Sequence, residues 1–472
     1  MSALPQRLGV VGAGTMGSGI AQLGCLAGMA TVLYDPVAEA LERGAASLRA
    51  GLEKGAERGR WSAADAEAAA ARLETTGALE DLAGCELVIE AAPERAELKR
   101  ELFARVSEIC PDAVLATNTS SIPVTSLASA AARPELVVGM HFFNPAPLMR
   151  LVEVIAAEQT GERALEVATA TGEAMGKRVI RATDGPGFLV NRCGRPFYGE
   201  ALRCVTERIA TPAQVDRICR LGGGFRMGPF ELMDLVGIDV GFEVAKSFME
   251  LSFGEPRWRP SPLQARMVAA GRLGRKTGRG WYEYGDGPYR PEDPEPPAPG
   301  GGEGRALAVG GDGPVAELLR ARGEAAGYAV TREGVEGEVR LDGRPVGGFV
   351  LVPPEPRLVE LLGPRDEERE RLFSSLGFVC EWVEDAPGGV LGRIVCQLVN
   401  EACFAVGEGV GSPEDVDAGM ELGLNHPRGP MTWGRILGFD RVLATLDAIW
   451  QARREERYRP APLLLKLARE AA

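Results

Sequence analysis

The sequence has little histidine and no paired cysteine motif. Only His141 and His426 occur among its 472 residues, and this scarcity argues against a zinc site, which draws on histidine or clustered cysteine. Its nine cysteines are scattered, with no Cys-x-x-Cys pair. Most of them have apolar neighbours, so we expect buried, reduced thiols without a metal.

Long apolar runs and an excess of positive charge are also missing. No run approaches the ~20 residues that span a bilayer, and no basic region with a cleavage site opens the chain. We therefore expect a cytoplasmic protein without a secretory signal. The net charge of −13 argues against nucleic acid or a membrane surface as partner, since both need a broad basic face. A small polyanionic ligand would need only a local basic cluster.

What is present is the composition of a globular protein. Apolar residues make up 45% and charged residues 25%, which excludes disorder over most of the chain. A length of 472 residues predicts about two to four domains.

The first 35 residues contain the clearest motif. An apolar strand at 8–11 runs into Gly12-Ala-Gly14-Thr15-Met16-Gly17, a helix follows, and a second strand at 31–34 ends in Asp35. This order is typical of a dinucleotide-binding unit. Gly12 permits the turn, Gly14 lets a pyrophosphate approach, and Gly17 allows close packing of helix and strand. Asp35 would accept hydrogen bonds from the ribose hydroxyls, which favours NAD over NADP.

Further strands and helices alternate up to about residue 183. This alternation predicts an α/β fold, a Rossmann-like domain with a parallel sheet and helices on both faces. A mainly helical region follows, then a stretch rich in proline, glycine and glutamate, and then a shorter α/β-like region. We predict five segments: a Rossmann domain at 1–183, an all-α domain at 184–285, a linker at 286–303, a degenerate α/β domain without cofactor function at 304–384, and a second all-α domain at 385–472.

The second all-α domain is predicted from an internal repeat. Asp184-Gly-Pro-Gly187 matches Asp385-Ala-Pro-Gly388, and further matches keep the same offset of 201 residues over more than fifty positions. Chance does not readily produce one constant offset over such a length. Asn191 corresponds to Gly392, so the two copies cannot perform the same chemistry at that position.

His141 and Glu153 form the candidate catalytic pair. His141 follows a predicted strand at 136–140, and Glu153 lies within the apolar strand Leu-Val-Glu-Val-Ile. A carboxylate in such a strand is costly unless it is paired. Together they would make a general base, with Ser120 and Asn191 as hydrogen-bond partners of a reacting oxygen. For an isolated pair a structural histidine would be the preferred interpretation; beside a dinucleotide site, at the ligand edge of the sheet, we favour catalysis.

The chain resembles the (S)-3-hydroxyacyl-CoA dehydrogenases. The similar segments are VGAGTMGSGIA, ATNTSSIPVTSLA, GMHFFNPAPLMRLVEVI, DGPGFLVNR, GPFELMDLVGID and GRLGRKTGRGWYEY. The resemblance as a whole covers residues 6–285 densely. It also covers residues 385–445, which form the second helical copy. The length is similar to that of the long bacterial type with a duplicated C-terminal domain, which acts on 3-hydroxybutyryl-CoA or 3-hydroxyadipyl-CoA in fatty-acid or phenylacetate breakdown.

The resemblance implies a role for each matching residue. His141 would take the proton of the 3-hydroxyl, Glu153 would orient it, and Ser120 and Asn191 would hold the substrate oxygen. Asn144 would lie near substrate and nicotinamide. The positions that would contact NAD are Gly12, Gly14, Thr15, Met16, Gly17, Asp35, Glu94, Lys99, Ser120, Asn144 and Lys276. For the CoA moiety they are Lys54, Ser120 and Asn144.

Lys54 also has some support from its neighbours, because Lys54 and Arg58 are four residues apart on a predicted helix and Arg60 is close by. These three side chains would give an acidic protein a local cationic face for CoA phosphates. An ordinary solvated face explains Arg58 and Arg60 equally well. In short members of the family the helical domains of two chains pair, so the tandem copy predicts an intrachain pseudo-dimer with one working active site. The sequence does not decide whether two such chains also form a homodimer.

Two other interpretations remain. A two-domain dehydrogenase of another substrate, such as a sugar nucleotide, would need a catalytic cysteine or lysine near the start of the second domain. Cys193 is the nearest thiol there, and this interpretation leaves His141 and Glu153 unexplained. A protein that binds NAD or CoA without turnover would show a damaged constellation, whereas the N-terminal copy keeps the family residues.

Overall fold

The computed structural model describes residues 4–335 and 337–471, and the chain divides into two compact units. The first comprises Met1–Val190 with Gly409–Gly423, and the second comprises Asn191–Glu408 with Leu424–Ala472. None of the helices in the described part of the chain is both long and apolar enough to cross a membrane.

Eight strands and six helices make up most of the first unit. The strands are β1 (Arg7–Val11), β2 (Ala30–Tyr34), β3 (Leu73–Thr76), β4 (Leu87–Glu90), β5 (Val114–Thr117), β6 (Val137–Phe142), β7 (Leu151–Ala156) and β8 (Arg178–Thr183). The helices are α1 (Thr15–Leu26), α2 (Ala38–Glu57), α3 (Ala63–Ala70), α4 (Ala96–Ile109), α5 (Val124–Ala128) and α6 (Glu162–Ala174). The strand order is β3-β2-β1-β4-β5-β6-β7-β8. From β1 the chain continues to β2 and β3 on one side and to β4, β5 and β6 on the other. In sheets of this kind ligands bind beyond the carboxyl ends of the strands at the point where the strand order changes direction.

The predicted α/β Rossmann-like class is confirmed, but the sheet is not wholly parallel. Strand β7 runs antiparallel to β6, while the other neighbouring strands are parallel. The connection at 143–150 is too short for the crossover that a parallel pair requires. Strands β3 and β8 were not predicted, because polar residues interrupt their apolar pattern.

The remainder of the chain holds the other elements. Its helices are α7 (Val190–Thr206), α8 (Pro212–Arg217), α9 (Pro229–Val236), α10 (Ile238–Leu251), α11 (Pro262–Ala269), α12 (Pro314–Ala325), α13 (Glu367–Ser375), α14 (Leu391–Gly407), α15 (Pro413–Gly423), α16 (Pro430–Leu437), α17 (Phe439–Arg453) and α18 (Pro462–Ala471). Its strands are β9 (Ala306–Val309), β10 (Ala329–Thr331), β11 (Val339–Leu341), β12 (Arg344–Pro345), β13 (Phe349–Val350), β14 (Leu358–Leu362) and β15 (Val379–Val383).

Helices α7–α11 correspond in order to α14–α18. Helix α7 begins at Val190 and α14 at Leu391, while α9 begins at Pro229 and α16 at Pro430, which is the offset of 201 found in the sequence. The predicted α/β region forms two small sheets, β10-β9-β11-β12 and β13-β14-β15. The predicted linker is packed rather than free, since Arg220 donates to Asp293 over 2.8 and 2.6 Å.

Helix α15 belongs to the first unit although it is part of the second helical copy. A Cβ atom added to Gly419 would lie 2.8 Å from Val190 and 3.2 Å from Ile180, so this helix packs closely on the sheet. The amide of Thr183, at the end of β8, donates to the carbonyl of Val410 over 3.1 Å. The absence of a side chain at Gly419 therefore lets α15 pack closely against the first unit.

His426 lies in an aromatic core of the second unit, 5.2 Å from the ring of Phe197 and 5.0 Å from that of Phe225. Its Nδ1 has no hydrogen-bond partner, and burial lowers the pKa to about 3. Because the folded-state pKa lies below the ordinary value of 6.5, this histidine contributes stability that is present above pH 6.5 and is lost as the pH falls toward 3.

Replacing His426 by phenylalanine should remove this pH-dependent loss. Phenylalanine is the residue at the equivalent position of the first copy, Phe225. Between pH 8 and pH 5 the unaltered protein should lose about 2 kcal/mol more of its free energy of unfolding than the variant. Urea unfolding at the two pH values measures the difference. Equal losses in the two proteins would contradict the neutral, buried state of His426.

Candidate active site

A buried histidine–glutamate pair lies on two adjacent strands of the first unit. His141 on β6 is directly opposite Glu153 on β7 in the antiparallel register. His141 Nδ1 lies 2.6 Å from Glu153 Oε2, and the two residues are 5% and 0% exposed. Since a carboxylate only accepts, Nδ1 carries the proton of the neutral ring. Nε2 is then left with a lone pair, as a general base requires.

The other carboxylate oxygen of Glu153 holds the start of helix α7. Glu153 Oε1 accepts from the amides of Leu189 and Val190 over 3.1 and 3.0 Å. Free amides at a helix N-terminus favour a negative charge. The carboxylate is thus fixed from both sides, and its orientation fixes the imidazole.

His141 Nε2 faces the hydroxyl of Ser120 over 3.2 Å. The loop that carries Ser120 follows β5 and is held by Glu94, whose Oε1 accepts from the amides of Ser120 and Ser121 and from the hydroxyl of Thr119, over 3.0, 3.1 and 2.5 Å. Two strand ends and one carboxylate therefore bring the serine hydroxyl to His141.

Lys99 forms an ion pair with Glu94. Its Nζ lies 3.0 Å from Glu94 and 2.9 Å from Glu90, and the residue is 1% exposed. Burial works to raise the pKa of Glu94, but Lys99 and Thr119 hold it below its usual range. Burial raises the pKa of Glu90. Lys99 therefore fixes the carboxylate of Glu94, which in turn holds the loop of Ser120.

The glycine loop fits a dinucleotide pyrophosphate. No side chain caps helix α1, and a Cβ atom added to Gly14 would meet no atom within 4 Å. A Cβ on Gly17 would lie 1.7 Å from the carbonyl oxygen of Gly12, so no larger residue fits there. Thr15 and Met16 follow in the uncapped first turn, whose amides are available to phosphate oxygens.

Asp35 lies at the end of the crevice, just after β2. Its Oδ2 accepts from the amide of Ala13 over 2.9 Å and its Oδ1 from that of Val37 over 3.0 Å. A carboxylate has about four acceptor positions, so two remain for ribose hydroxyls. The same side chain therefore braces the glycine loop and keeps acceptor positions that could bind a ribose.

Lys54, Arg58 and Arg60 line a cleft of about 240 Å³ in the first unit. The cleft also includes Trp61 and the segment after β6, with Pro145. Lys54 lies in the last turn of α2, while Arg58 is the residue that ends this helix. The three cations that the sequence placed close together thus line one cleft, and binding of an anion there stays a prediction.

The segment after β6 carries Asn144, which is exposed. Lys177 holds this segment, because its Nζ donates to the carbonyls of Ala146 and Met149, each over 2.7 Å. Burial lowers the pKa of Lys177 to about 8. Two predicted residues lie in the second unit: Asn191 follows directly after Val190, and Lys276 pairs with Asp239 over 2.6 Å.

Several residues of this arrangement were not predicted from the sequence. Glu90 ends the apolar run Leu-Val-Ile-Glu, and that pattern could have identified it by the argument used for Glu153. Phe143 and Phe188 flank His141 with ring centroids at 4.7 and 5.8 Å, which makes the surroundings of the base apolar. No local signal identifies Phe188, since its contact depends on the tertiary fold.

Two family models match the chain. Residues 7–185 match "3-hydroxyacyl-CoA dehydrogenase, NAD binding domain", and residues 187–284 and 388–472 each match the C-terminal domain of the same family. This chain belongs to the 3-hydroxyacyl-CoA dehydrogenase family. It is an NAD-dependent oxidoreductase, and the double match agrees with the duplicated helical domain.

Relatives of two lengths resemble the chain. It is 37% identical to the 3-hydroxyadipyl-CoA dehydrogenase of Escherichia coli K12, over 98% of this chain and 97% of that protein. It is 42% identical to a probable 3-hydroxybutyryl-CoA dehydrogenase of Deinococcus radiodurans, over 59% of this chain and the whole of that protein. A crystal structure of 3-hydroxybutyryl-CoA dehydrogenase from Escherichia coli K12 superposes with a TM-score of 0.83 at 35% identity, covering 99% of each chain.

Proposed function

We propose that the chain interconverts (S)-3-hydroxyacyl-CoA and 3-ketoacyl-CoA, with a 3-hydroxybutyryl or 3-hydroxyadipyl group as the acyl part, in fatty-acid or phenylacetate breakdown. The observation that carries the proposal is the buried pair of His141 and Glu153 in the same unit as the NAD crevice. The names of the relatives of both lengths support this substrate class.

In this proposal His141 Nε2 takes the proton of the substrate 3-hydroxyl, and bound NAD supplies the acceptor for the hydride from C3. Glu153 keeps the proton of the neutral ring on Nδ1 and stabilises the imidazolium that forms. Ser120 donates a hydrogen bond to the substrate oxygen, and Asn191 is assigned the same role by family resemblance. Phe143 and Phe188 keep water from the ring, which strengthens these interactions.

Lys54 is assigned to the CoA phosphates, with Arg58 and Arg60 beside it in the same cleft. The thiol alternative is disfavoured, because Cys193 is fully buried. None of the nine cysteines forms a disulfide, and eight of them are buried. Cysteines without disulfides are typical of a reducing compartment, so a cytoplasmic location is part of the proposal.

The direct test is oxidation of NADH by the purified full chain on addition of acetoacetyl-CoA, followed by reduction of NAD with 3-hydroxyadipyl-CoA. Turnover of either thioester is the expected result, and the ratio of the two kcat/KM values gives the acyl preference. An NADH-binding protein that turns over neither thioester would refute the proposal.

Asp35→Asn should weaken NAD binding about 10–100-fold, the usual value of hydrogen bonds to a charged acceptor. The same change should reduce the preference for NAD over NADP, because it removes the charge that repels a 2′-phosphate. Fluorescence titration with NADH and NADPH measures both effects, with Asp112→Asn, on the exposed surface, as the matched control. Equal use of NADP and NAD by the unaltered protein would contradict the assignment.

We also propose that the two helical copies, 184–285 and 385–472, pair as an intrachain pseudo-dimer with one working active site. Support comes from reciprocal ion pairs: Arg192 bonds Glu401 over 2.8 Å, and Arg393 bonds Glu200 over 3.0 Å. Arg393 is the 201-residue equivalent of Arg192, as Glu401 is of Glu200. Contacts exchanged in this way are the signature of a two-fold interface.

A further inference from the structure

Arg195 on helix α7 is a half-buried arginine without a carboxylate partner among the residues that the structure describes. Its Nε is buried and has no hydrogen-bond partner. Burial lowers the pKa of Arg195, and no carboxylate opposes that effect in the described part of the chain. A guanidinium keeps its proton in proteins, so burying it unpaired is costly. Uncompensated charges of this kind are a feature of ligand sites.

Two aromatic rings hold the guanidinium of Arg195. Its central carbon lies 5.1 Å from the ring centroid of Tyr198 and 5.4 Å from that of Phe248 on α10. Contacts with aromatic faces leave the N–H groups at the edge of a guanidinium to a planar acceptor. The side chain is therefore oriented without its donors being used.

Asn191, Arg195 and Tyr198 lie on one face of α7, because they are four and then three residues apart. Asn191 is the residue assigned to the oxygen on C3 of the substrate, and Arg195 follows it after about one helical turn, or about 6 Å. In a 3-hydroxyadipyl group the terminal carboxyl carbon is three bonds from C3, about 4 Å when the chain is extended. With its own oxygens added, such a carboxylate is long enough to reach from the first position to the second.

The second helical copy keeps the support of its first helix but has no histidine base. Glu360 on β14 accepts from the amides of Val390 and Leu391 over 2.6 and 2.9 Å, as Glu153 does from the two amides at the start of α7. The residue opposite Glu360 in the register is Val350. The carboxylate is thus retained for its structural contacts, whereas the catalytic pair is lost.

The polar face of α7 is also absent from the second copy. At the offset of 201 residues its three positions are occupied by Gly392, Cys396 and Val399. Arg192, in contrast, is retained as Arg393, and each of these two arginines is paired with buried carboxylates. Helix packing therefore keeps the paired arginine in both copies, while Arg195 occurs only in the copy that follows the catalytic pair. This difference indicates a role in binding substrate and not in folding.

We propose that Arg195 binds the terminal carboxylate of a dicarboxylic 3-hydroxyacyl-CoA, so that the chain prefers a 3-hydroxyadipyl group to an acyl group that ends in methyl. The inference rests on the proposed function and names the acyl part of its substrate. A guanidinium binds a carboxylate through two parallel hydrogen bonds. A methyl-terminated chain leaves the buried charge unpaired, and a site built in this way discriminates strongly against a substrate that lacks the polar group.

The first test compares 3-hydroxyadipyl-CoA with 3-hydroxyhexanoyl-CoA, which has the same six-carbon chain and differs only in its terminal group. NADH formation by the unaltered full chain should give a kcat/KM about 10–100-fold higher for the adipyl thioester. Equal values, or a preference for hexanoyl, would overturn the role of Arg195 and leave the dehydrogenase activity established. Absence of turnover with both thioesters would refute the proposed function itself, and this inference with it.

Variants then assign the preference to one side chain. Arg195→Gln should lower the ratio of the two kcat/KM values about 10–100-fold. The change should appear mainly in KM for the adipyl thioester, since the terminal carboxylate is bound equally in the ground and transition states. Arg195→Lys keeps the charge without the planar fork and should recover part of the ratio.

Arg208→Gln is the matched control, because Arg208 is exposed just beyond the same helix, and it should leave the ratio unchanged. Both thioesters are measured on one preparation of each variant, so a loss of folded protein does not alter the ratio. A ratio that is unaltered in Arg195→Gln, or that falls equally in Arg208→Gln, would refute the assignment.

Discussion

Replacing His141 by alanine should slow the NADH-dependent reduction of acetoacetyl-CoA about 10²–10⁴-fold, the usual contribution of a positioned general base. NADH affinity should be unchanged, because the glycine loop and Asp35 are on other strands of the unit. Stopped-flow or steady-state absorbance gives the rate, and fluorescence titration gives the affinity. A variant that retains full turnover would refute the assignment of the base.

Glu153→Gln tests the contribution of the carboxylate while the imidazole of His141 is retained. An amide nitrogen facing Nδ1 would donate to it and move the ring proton to Nε2, where the substrate proton must be accepted. We expect a loss of about 10²–10⁴-fold in kcat. Glu158→Gln is the matched control, since Glu158 is exposed just beyond the same strand. If both variants were equally active, the carboxylate would have no part in the reaction.

Arg393→Met should lower the free energy of unfolding by about 3–5 kcal/mol, the usual cost of removing one partner of a buried ion pair. Arg393 bonds Glu200 over 3.0 Å and Glu207 over 2.9 Å, and it also donates to the hydroxyl of Tyr458 over 2.6 Å. Its side chain is 1% exposed. Urea unfolding followed by tryptophan fluorescence measures the loss.

Two further variants make this result specific. Arg192→Met breaks the reciprocal pair and should lose a similar amount, because Glu401 and Glu408 are left without their 2.8 and 2.7 Å partner. Arg178→Met breaks an exposed pair with Asp415 and should cost about 1 kcal/mol or less. If Arg393→Met lost no more of its free energy of unfolding than Arg178→Met, the buried ion pairs would no longer support the pseudo-dimer.

Local patterns explain why much of the site could be predicted. The glycine loop, α1 and Asp35 are contiguous in sequence, so their geometry follows from strand, turn and helix preferences alone. Glu153 was identified because an ionised side chain in an apolar strand requires a partner. The repeat was visible because helices α7–α11 and α14–α18 keep one spacing of helix starts, proline and glycine.

Other features could not be predicted, because they depend on pairing across long stretches of chain. The antiparallel turn from β6 into β7 gives the register that brings His141 opposite Glu153. Helix α15 joins the first unit through close packing at Gly419 against Val190, more than two hundred residues away in sequence. The similarity of Glu360 to Glu153 was also hidden, since it consists of two backbone hydrogen bonds and a register with little sequence identity.

The sequence by itself determined the family, the cofactor and the duplicated helical domain, because each of these is encoded in residues of fixed local spacing. It also predicts His141 and Glu153 as the catalytic pair. Only the tertiary structure decided how the second oxygen of Glu153 is used, how Lys99 pairs with Glu90 and Glu94, and which backbone amides Glu360 accepts from. Those answers depend on which backbone amides and side chains approach a buried carboxylate or a glycine, and such approach is fixed by strand register and packing.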